Sequence, residues 1–393
     1  MLYKLEHGVI PVWGEVDEKT VLQALNCLRF SDHFAVMADG HYGYAVPIGG
    51  VMVMKDRISP SGVGFDIACG NKAVRTDADA KEVKLHLAEF MDAIWNKISF
   101  GVGRKNNEKV DHELFEDETW KLPAFRDLRD QAILQLGTVG SGNHYVDLFE
   151  DEENRIWIGC HFGSRGLGYK IANHFLKAAA AKQNMEADPL VLYSESEMGS
   201  EYILGMELAG RYAYAGRDWV CNKVAEILGA NIVEEVHNHH NYAWKETHNG
   251  EEVWVVRKGA TPAFPGQKGF VGSSMGEPSV ILEGVDSPES AMNFYSTVHG
   301  AGRVMSRTAA AGKFNRKTGE LVAEGCVKPS MMAEWLNKAN VLLKGGGLDE
   351  SPHCYKRLSD VLSYHDCTVW ILHTLTPLGV AMAGADEFDP YKD

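Results

Sequence analysis

The sequence has neither closely spaced cysteines nor a long apolar run. Its seven cysteines are scattered along 393 residues without a CxxC pair, which argues against a disulfide framework and a zinc finger but leaves single cysteines available as metal ligands. No apolar stretch approaches the length that spans a bilayer, and the start, MLYKLEHGVIPVWGEV, lacks a basic segment followed by an apolar one. We therefore expect a cytoplasmic protein.

Positive charge is also scarce. Asp and Glu number 54 against 39 Lys and Arg, giving a formal net charge of −15, which argues against the broad basic surface that non-specific nucleic-acid binding requires. Any contact with RNA must therefore be local, in a basic pocket on an otherwise acidic molecule.

Two common catalytic motifs are missing. The sequence contains no GxxxxGK[ST], so a P-loop is excluded as a nucleotide site. It likewise contains no HExxH. Any nucleotide or metal chemistry must therefore be built from other loops.

The chain reads as one large α+β domain spanning 1–393, with an acidic tail at about 385–393. No Pro/Ser-rich linker, low-complexity tract or repeat marks a boundary. Mixed strands and helices without a regular βαβ alternation predict sheet packed against helices on its outer faces. Apolar periodicity predicts helices over Glu18–Leu28, Ala80–Ile98, Leu167–Gln183 and about Ser200–Leu228, the last ended by Gly229, and β-branched runs predict strands over Ala45–Met54, Arg155–Cys160, Glu252–Val256 and Thr368–Leu375.

Many of the 40 glycines cluster in loops that also hold polar or ionisable residues. Glycine lets the backbone approach a ligand closely, so such loops are candidate sites, although each one alone could be an ordinary turn. Six of them together favour a shared site: MADGHYGYAVPIGG, GVGFDIACG, GSGNHY, HFGSRG, VGSSMGE and HGAGRVMSR.

Carboxylate, thiolate and imidazole groups in these loops are candidate metal ligands. GVGFDIACG places Asp66 and Cys69 three residues apart, GNH offers His144, and HFGSRG offers His161. The run HNHHNY adds His237, His239 and His240. The three histidine loops with one donor each, together with Asp66 and Cys69, give five ligands, which is more than a tetrahedral site holds. Two ions that share the thiolate are therefore the simplest interpretation. The donors suit zinc or iron as well as manganese.

HGAGRVMSR is the candidate nucleophile and phosphate loop. A helix beginning just after the glycines would place His299, Arg303 and Arg307 on one face, with Gly300 and Gly302 opening an anion site. A glycine turn followed by a solvated basic face is the alternative. A neutral imidazole can attack an α-phosphate to give a labile phosphoramidate. Further candidates are Arg165 in HFGSRG, Lys258 in RKGA, and Ser273 and Ser274 in VGSSMGE.

In this order the loops resemble the RtcB-type RNA ligases across nearly the whole chain, most strongly from about Ala35 to Thr308. HGAGRVMSRT, GSGNH, HFGSRG, HHNY and RKGA carry the resemblance as a set. It implies an α+β fold with sheets packed together under outer helices. The implied activity joins an RNA 2′,3′-cyclic phosphate or 3′-phosphate end to a 5′-hydroxyl end, with GTP and manganese, in tRNA splicing or RNA repair.

The resemblance also assigns roles to residues. His299 would be the guanylylated nucleophile, with Asp39 near the reacting groups. His240 would be the ligand of the histidine run, because it directly precedes Asn, leaving His237 and His239 as supporting residues. Two manganese ions would be held by Asp66, Cys69, His144, His161 and His240. Nucleotide or phosphate contacts would come from Asn143, Asp147, Arg165, Lys258, Ser273, Ser274, Gly300, Ala301, Gly302, Arg303, Arg307 and Tyr355. A monomer is expected, and an accessory activating protein is a candidate partner.

Three positions depart from the family pattern. Tyr44 stands in place of a lysine, Ala383-Gly384 in place of a terminal Lys-Gly that reads guanine, and Asp147 in place of a glutamate. These departures bear on base selectivity and suit a divergent paralogue devoted to repair. Two alternatives therefore stand beside the ligase: a metal-dependent hydrolase that opens cyclic phosphates without ligating, and a non-catalytic partner of RNA or of a translation factor.

Overall fold

A computed structural model describes residues 2–5, 8–314, 321–384 and 387. The strands are β1 (Leu2–Leu5), β2 (Gly8–Pro11), β3 (His33–His41), β4 (Ile48–Met54), β5 (Arg57–Ile58), β6 (Gly70–Asp79), β7 (Tyr145–Glu150), β8 (Arg155–Phe162), β9 (Leu192–Tyr193), β10 (Ile232–His239), β11 (Asn241–His248), β12 (Glu251–Lys258), β13 (Ala260–Pro262), β14 (Lys268–Val271), β15 (Ser279–Gly284), β16 (Ser296–Val298), β17 (Gly312–Phe314), β18 (Leu321–Glu324), β19 (Leu342–Gly346) and β20 (Val369–Gly384).

Helices cover most of the remaining regular structure. They are α1 (Glu18–Leu28), α2 (Pro60–Val63), α3 (Ala80–Leu85), α4 (Leu87–Lys97), α5 (Arg129–Gln135), α6 (Arg165–Ala178), α7 (Glu197–Leu228), α8 (Pro288–Met292), α9 (Arg307–Ala311), α10 (Pro329–Ala339) and α11 (Leu358–Ser363). Short 3-10 helices occur at Glu113–Glu116, Glu118–Lys121, Arg126–Leu128, Leu348–Glu350 and Pro352–Cys354.

An eight-stranded, barrel-like sheet organises the molecule. Its order is β10-β6-β8-β7-β20-β15-β14, with β19 parallel to β20 and the other neighbours antiparallel. Its two ends approach each other, because the Asn238 amide donates to the carbonyl of Lys268 over 3.1 Å. Large side chains including Phe149, Trp157 and Phe270 form one buried cluster that joins strands from both halves of the sheet.

A four-stranded sheet, β11-β12-β4-β3, packs on both of its faces. Side chains alternate along β4, so Met52 and Met54 join a core with α6 and α7, whereas Val51 and Val53 join a second core with Val298. Because both of its faces are buried, β4 reads as a nearly continuous apolar run. The expected architecture, packed sheets with helices outside, is confirmed.

Helix α7 covers the outside of the large sheet. Ser196 caps its first turn by accepting a hydrogen bond from the Gly199 N–H, and Gly229 ends it in the left-handed region at φ +64°, as the sequence predicts. Between these caps, Val220 and Val224 pack into the core formed by β6, β7 and β8. Among the described residues no helix, α7 included, combines the length and the apolar character needed to cross a membrane.

Several predicted boundaries need correction. The helix expected over Ala80–Ile98 is two helices, because His86 adopts φ −108° and ψ 20° between α3 and α4. The strand expected over Thr368–Leu375 continues to Gly384. Apart from Glu387, the acidic tail expected at 385–393 lies outside the described residues.

Candidate active site

The predicted metal ligands meet at one end of the large sheet. Cys69 directly precedes β6, His144 directly precedes β7, His161 lies near the end of β8, and His240 directly follows β10. The strand register brings these ends together, since residue 161 pairs with residues 71 and 145, and residue 239 pairs with residue 70. Loops distant in sequence therefore converge because their strands are neighbours.

The ligand atoms form two groups that share one thiol. Asp66, Cys69 and His144 make one group, and Cys69, His161 and His240 make the other, with the ligand atoms of each group within 4.8 Å of one another. Sγ of Cys69 lies 3.6 Å from Nε2 of His144 and 3.3 Å from Nε2 of His161. Cys69 is therefore the residue that the two groups have in common.

Backbone carbonyls orient two of the imidazoles. Nδ1 of His144 lies 3.0 Å from the carbonyl oxygen of Val139, and Nδ1 of His161 lies 2.9 Å from that of Asn143. A carbonyl can only accept, so each Nδ1 carries a proton. Nε2 of His161 keeps its lone pair, whereas Nε2 of His144 lies 3.1 Å from Oδ2 of Asp66. Burial, followed by the charge of His144, lowers the pKa of His161 to about 3. The imidazole of His161 is therefore neutral and free to coordinate a metal ion.

The donor set fits divalent metal ions. Burial is the largest effect on Asp66 and opposes its ionisation, but the hydrogen bond with His144 and the charges of His144 and Arg165 together outweigh burial and lower the carboxyl pKa. Burial and the nearby Asp66 raise the pKa of the Cys69 thiol well above its usual range. A carboxylate and neutral imidazoles suit a transition metal, and binding would displace the thiol proton. The structure itself carries no ion.

A fully buried arginine supports the ligand loops from behind. Arg217 donates to the carbonyls of Ala68 and Phe162 over 3.0 and 2.6 Å, fixing the residues next to Cys69 and His161. Its other nitrogens contact His237 and His239 over 2.7 and 2.8 Å. These two histidines therefore lie behind the ligands, as the resemblance implied.

His299 faces the ligand cluster from the other side. Its ring centroid lies 4.8 Å from that of His240. Its Nδ1–H donates to Oδ2 of Asp39 over 2.6 Å, and the backbone N–H groups of His299 and Gly300 donate to the same oxygen over 3.0 and 3.3 Å. Burial opposes ionisation of Asp39, but the charge of His299 and these hydrogen bonds outweigh burial and lower its pKa.

The prediction of a helix that begins just after Gly300 and Gly302 is wrong. Residues 299–306 form a loop, and α9 begins only at Arg307. Gly302 has φ +76°, which interrupts right-handed helix, and the Ser306 side chain caps α9 by accepting from the Ala309 N–H over 3.1 Å.

A cavity of about 290 Å³ joins the ligand cluster to the His299 loop. It brings together most of the residues predicted for the site: Asp66, Cys69, Asn143, His144, Asp147, His161, His240, Ser273, Ser274, His299, Gly300, Ala301, Gly302, Arg303, Arg307 and Tyr355. Three predicted residues do not line it. Asp39 lies behind His299, and Arg165 places Nη1 3.1 Å from Nδ1 of His144.

Lys258 is the third residue outside the cavity lining. Its ammonium donates to the carbonyls of Tyr44 and Val46 over 2.6 and 3.0 Å, in the loop between β3 and β4. Burial lowers the pKa of Lys258 to about 8. The predicted phosphate contact of Lys258 stays a prediction.

Two carboxylates that were not predicted from the sequence form ion pairs with Arg303 and Arg307. Arg307 is paired with Asp349 over 2.9 Å and with Glu350, and Arg303 lies 3.5 Å from Glu350. The Arg303 guanidinium also donates to the Tyr355 hydroxyl over 2.9 Å and lies 5.0 Å above the Tyr355 ring. The glycines of KGGGLDE are a signal that could have identified this acidic pair.

Several buried polar side-chain atoms of residues that line the cavity have no hydrogen-bond partner among the described residues. They are the hydroxyls of Tyr145, Ser273 and Ser274 and Oδ1 of Asp147. Burial, followed by the charge of Cys160, raises the pKa of Asp147 well above its usual range. Since buried polar groups are normally satisfied, these atoms are suited to a polar ligand.

Comparison with known proteins identifies the family. A model of the family described as tRNA-splicing ligase RtcB matches residues 21–383. The chain belongs to the RtcB family. It is 34% identical to the RNA-splicing ligase RtcB of Escherichia coli strain K12, with 93% of each chain covered. It is 31% identical to the tRNA-splicing ligase RtcB of Archaeoglobus fulgidus, covering 88% of this chain and 86% of that one. The RtcB resemblance drawn from the motifs, and with it the expected class of RNA ligase, is confirmed.

Proposed function

We propose that this RtcB-family protein joins RNA 2′,3′-cyclic phosphate or 3′-phosphate ends to 5′-hydroxyl ends, using GTP and two manganese ions, in tRNA splicing or RNA repair. His299 is the residue that accepts the guanylate. The observation that carries the proposal is the position of His299, held by Asp39 and facing a five-residue ligand cluster across one cavity.

The hydrogen bond to Asp39 selects the attacking atom. An ionised carboxylate can only accept, so Nδ1 of His299 carries the proton and Nε2 presents its lone pair. In the first step Nε2 bonds to the α-phosphorus of GTP, and the bond from that phosphorus to the bridging oxygen breaks to release pyrophosphate. The Asp39 charge stabilises the positive imidazole produced by the attack.

The RNA 3′-phosphate then takes the guanylate from His299. One of its oxygens bonds to the α-phosphorus as the P–N bond breaks. Finally the 5′-hydroxyl oxygen bonds to the RNA phosphorus, the hydroxyl proton is lost and GMP leaves. A 2′,3′-cyclic end is first opened to the 3′-phosphate by water.

The cavity supplies groups for both substrates. Arg303 and Arg307 face it with their guanidinium groups fixed by Asp349 and Glu350, so they are oriented before phosphate arrives. Asn143 in the cavity lining, and Arg165 and Lys258 outside it, are proposed as further phosphate contacts. The unsatisfied atoms of Asp147, Ser273 and Ser274, with the Tyr355 ring and the backbone of Gly300, Ala301 and Gly302, are proposed to hold the nucleotide.

The metal ions are proposed to sit at the two groups that share Cys69. When bound, they supply positive charge that stabilises the phosphoryl transition state and activates oxygen nucleophiles. The choice of manganese rests on the family resemblance. A metal series that includes zinc and magnesium tests it, and joining that is fastest with manganese is the expected result.

Labelling with α-³²P GTP and manganese tests the nucleophile. The wild-type protein should carry label on a denaturing gel and gain the mass of one guanylate, whereas His299→Ala should carry none. The same two proteins are then compared in joining a broken tRNA hairpin. Opening of a cyclic phosphate without labelling would support the hydrolase instead. Intact wild type that neither labels nor opens the ring would support the non-catalytic partner.

Assembly and location form a separate part of the proposal. We propose a monomer that acts in the cytoplasm, with an accessory activating protein as a candidate partner. Light scattering of the purified protein tests the monomer, since a mass well above 43.4 kDa would contradict it.

A further inference from the structure

A second cavity lies beside the catalytic cavity and has a different composition. It is an open groove of about 770 Å³, which we call the Trp95 groove. It is lined by Trp95, Asn96, Ile98, Ser99, Phe100, Arg104, Lys105, Asn107, Gly384 and Glu387. It contains none of the predicted metal ligands and no part of the His299 loop.

The Trp95 groove combines aromatic and basic side chains. Trp95 and Phe100 stack with ring centroids 5.1 Å apart and planes 17° from parallel. Arg104 and Lys105 are exposed at the rim, and Glu387 is the only carboxylate among the described lining residues. On a chain with a net charge of −15, a local surface with two cations and a flat ring suits a polyanion that carries bases.

The groove already accepts an anionic oxygen. Nε of Arg104 donates to Oε1 of Glu387 over 3.0 Å, and a second guanidinium nitrogen contacts the same oxygen. Gly101 makes room for this carboxylate, because a Cβ at that position would lie 2.7 Å from the Glu387 carboxyl carbon. Carboxylate and phosphate oxygens accept guanidinium hydrogen bonds in the same way.

Two segments separate the groove from the catalytic cavity. The Gly101 N–H donates to the carbonyl of Gly140 over 2.7 Å, at the start of the loop that carries Asn143 and His144. Along β20, Met382 lines the catalytic cavity, and Gly384, two residues later, lines the groove. The two cavities therefore approach each other at the end of β20 and at the start of the loop that carries Asn143 and His144.

We propose that the Trp95 groove binds single-stranded RNA next to its reacting end, with a base stacked on Trp95 and phosphates on Arg104 and Lys105. The Glu387 carboxylate competes with phosphate for Arg104. This inference rests on the proposed ligase function for the identity of the strand. It predicts that the groove affects RNA binding and not the capture of guanylate.

Binding of a fluorescent single-stranded RNA that ends in a 3′-phosphate tests the proposal. Anisotropy titrations over a series of salt concentrations compare wild type with R104A/K105A and E387Q. K121A/R126A is the matched control, since it removes one exposed lysine and one exposed arginine outside both cavities. The KM for RNA and the kcat of joining are measured on the same proteins.

We expect R104A/K105A to raise Kd and KM for RNA about tenfold and to reduce the salt slope by about 1.4, from two lost phosphate contacts at about 0.7 each. E387Q should lower Kd by removing the competing charge. Equal Kd values and salt slopes for R104A/K105A and K121A/R126A would contradict RNA binding in the Trp95 groove.

Self-labelling with GTP needs no RNA and separates this inference from the proposed function. If wild type is labelled by GTP but R104A/K105A binds RNA like the control, the proposal that the groove binds RNA is wrong and the proposed ligase function is kept. If wild type is not labelled but R104A/K105A loses affinity for RNA, the proposal that the groove binds RNA is kept and the proposed ligase function is wrong.

Discussion

The carboxylate of Asp39 accepts three hydrogen bonds from the His299 segment, one from the ring and two from the backbone. Asp39 is fully buried, and its second oxygen has no hydrogen-bond partner. The geometry of the nucleophile and its charge balance therefore depend on one side chain that lies outside both ligand groups.

Asp39→Asn should separate the nucleophile from the metal cluster. The amide keeps the shape but no longer selects the Nδ1–H tautomer or stabilises the imidazolium, so guanylylation should fall on the order of a thousandfold, by analogy with buried aspartates behind other catalytic histidines. Labelling rates with GTP measure the loss, and metal content measured by mass spectrometry should match wild type. A labelling rate within a few-fold of wild type would contradict the tautomer argument.

Lys258 provides a prediction about pH. An unfolded lysine titrates near 10.4, whereas burial lowers the pKa of Lys258 in the folded protein to about 8. Between these values the unfolded state binds more protons, so the free energy of unfolding contributed by this residue rises with pH.

Comparing wild type with Lys258→Met isolates that effect. From pH 8 to 10 the stability of wild type relative to Lys258→Met should increase, by on the order of 3 kcal/mol at most. Urea unfolding at a series of pH values measures it. A difference that stays flat across this range would show that Lys258 titrates normally.

Single-residue chemistry explains which parts of the site could be predicted. Metal ligands and the nucleophile belong to a few residue types embedded in glycine, so their identity is visible in the sequence. The partners of Arg307 are not, because Asp349 and Glu350 are more than forty residues away and meet it only through tertiary packing. The contact between Lys258 and Tyr44 was missed for the same reason.

At the scale of elements, local signals fail where tertiary pairing overrides them. Pro377 and Gly379 read as strand breakers, yet β20 continues through them because its pairing with β7 shifts register at this point. Conversely, the spacing of His299, Arg303 and Arg307 suggests a helix face, but the left-handed Gly302 keeps the segment a loop. Where caps are intact, as in α1 and α7, prediction and structure agree closely.

The loop at 299–306 depends on Gly302 for space as well as for its backbone angle. A Cβ there would lie 2.4 Å from the carbonyl oxygen of Asp39, in addition to the strain at φ +76°. Gly302→Ala should therefore displace the Asp39–His299 pair and reduce guanylylation at least tenfold. Labelling kinetics measure this effect.

Gly266→Ala is the matched control for this loop. Gly266 has the same φ of +76°, but nothing lies within 4 Å of a Cβ built on it. It carries the backbone strain without the collision, so its labelling should stay near wild type. Equal losses in the two variants would mean that strain, and not displacement of Asp39, causes the defect.

At the scale of the whole molecule, the ligand cluster lies where the two sheets join. Cys69 and His144 directly precede strands of the large sheet and His161 lies in its strand β8, whereas His240 lies between β10 of that sheet and β11 of the four-stranded sheet. The backbone reinforces this junction, since the His240 N–H donates to the carbonyl of Cys69 over 2.8 Å. Metal binding should therefore stabilise both sheets together.

Manganese should accordingly raise the melting temperature of the whole protein. At a free concentration of a hundred times Kd, one site contributes about 2.7 kcal/mol, which corresponds to a shift of a few degrees for a chain of this size. Cys69→Ala should abolish the shift entirely, because the shared thiolate belongs to both groups. Exposed Cys326 provides the control substitution, Cys326→Ala, which should keep the full shift. Calorimetry should show one transition that moves as a unit, since the sheets share the bound ions. Two separate transitions would instead divide the chain into domains, and a retained shift in Cys69→Ala would disprove the two-ion arrangement.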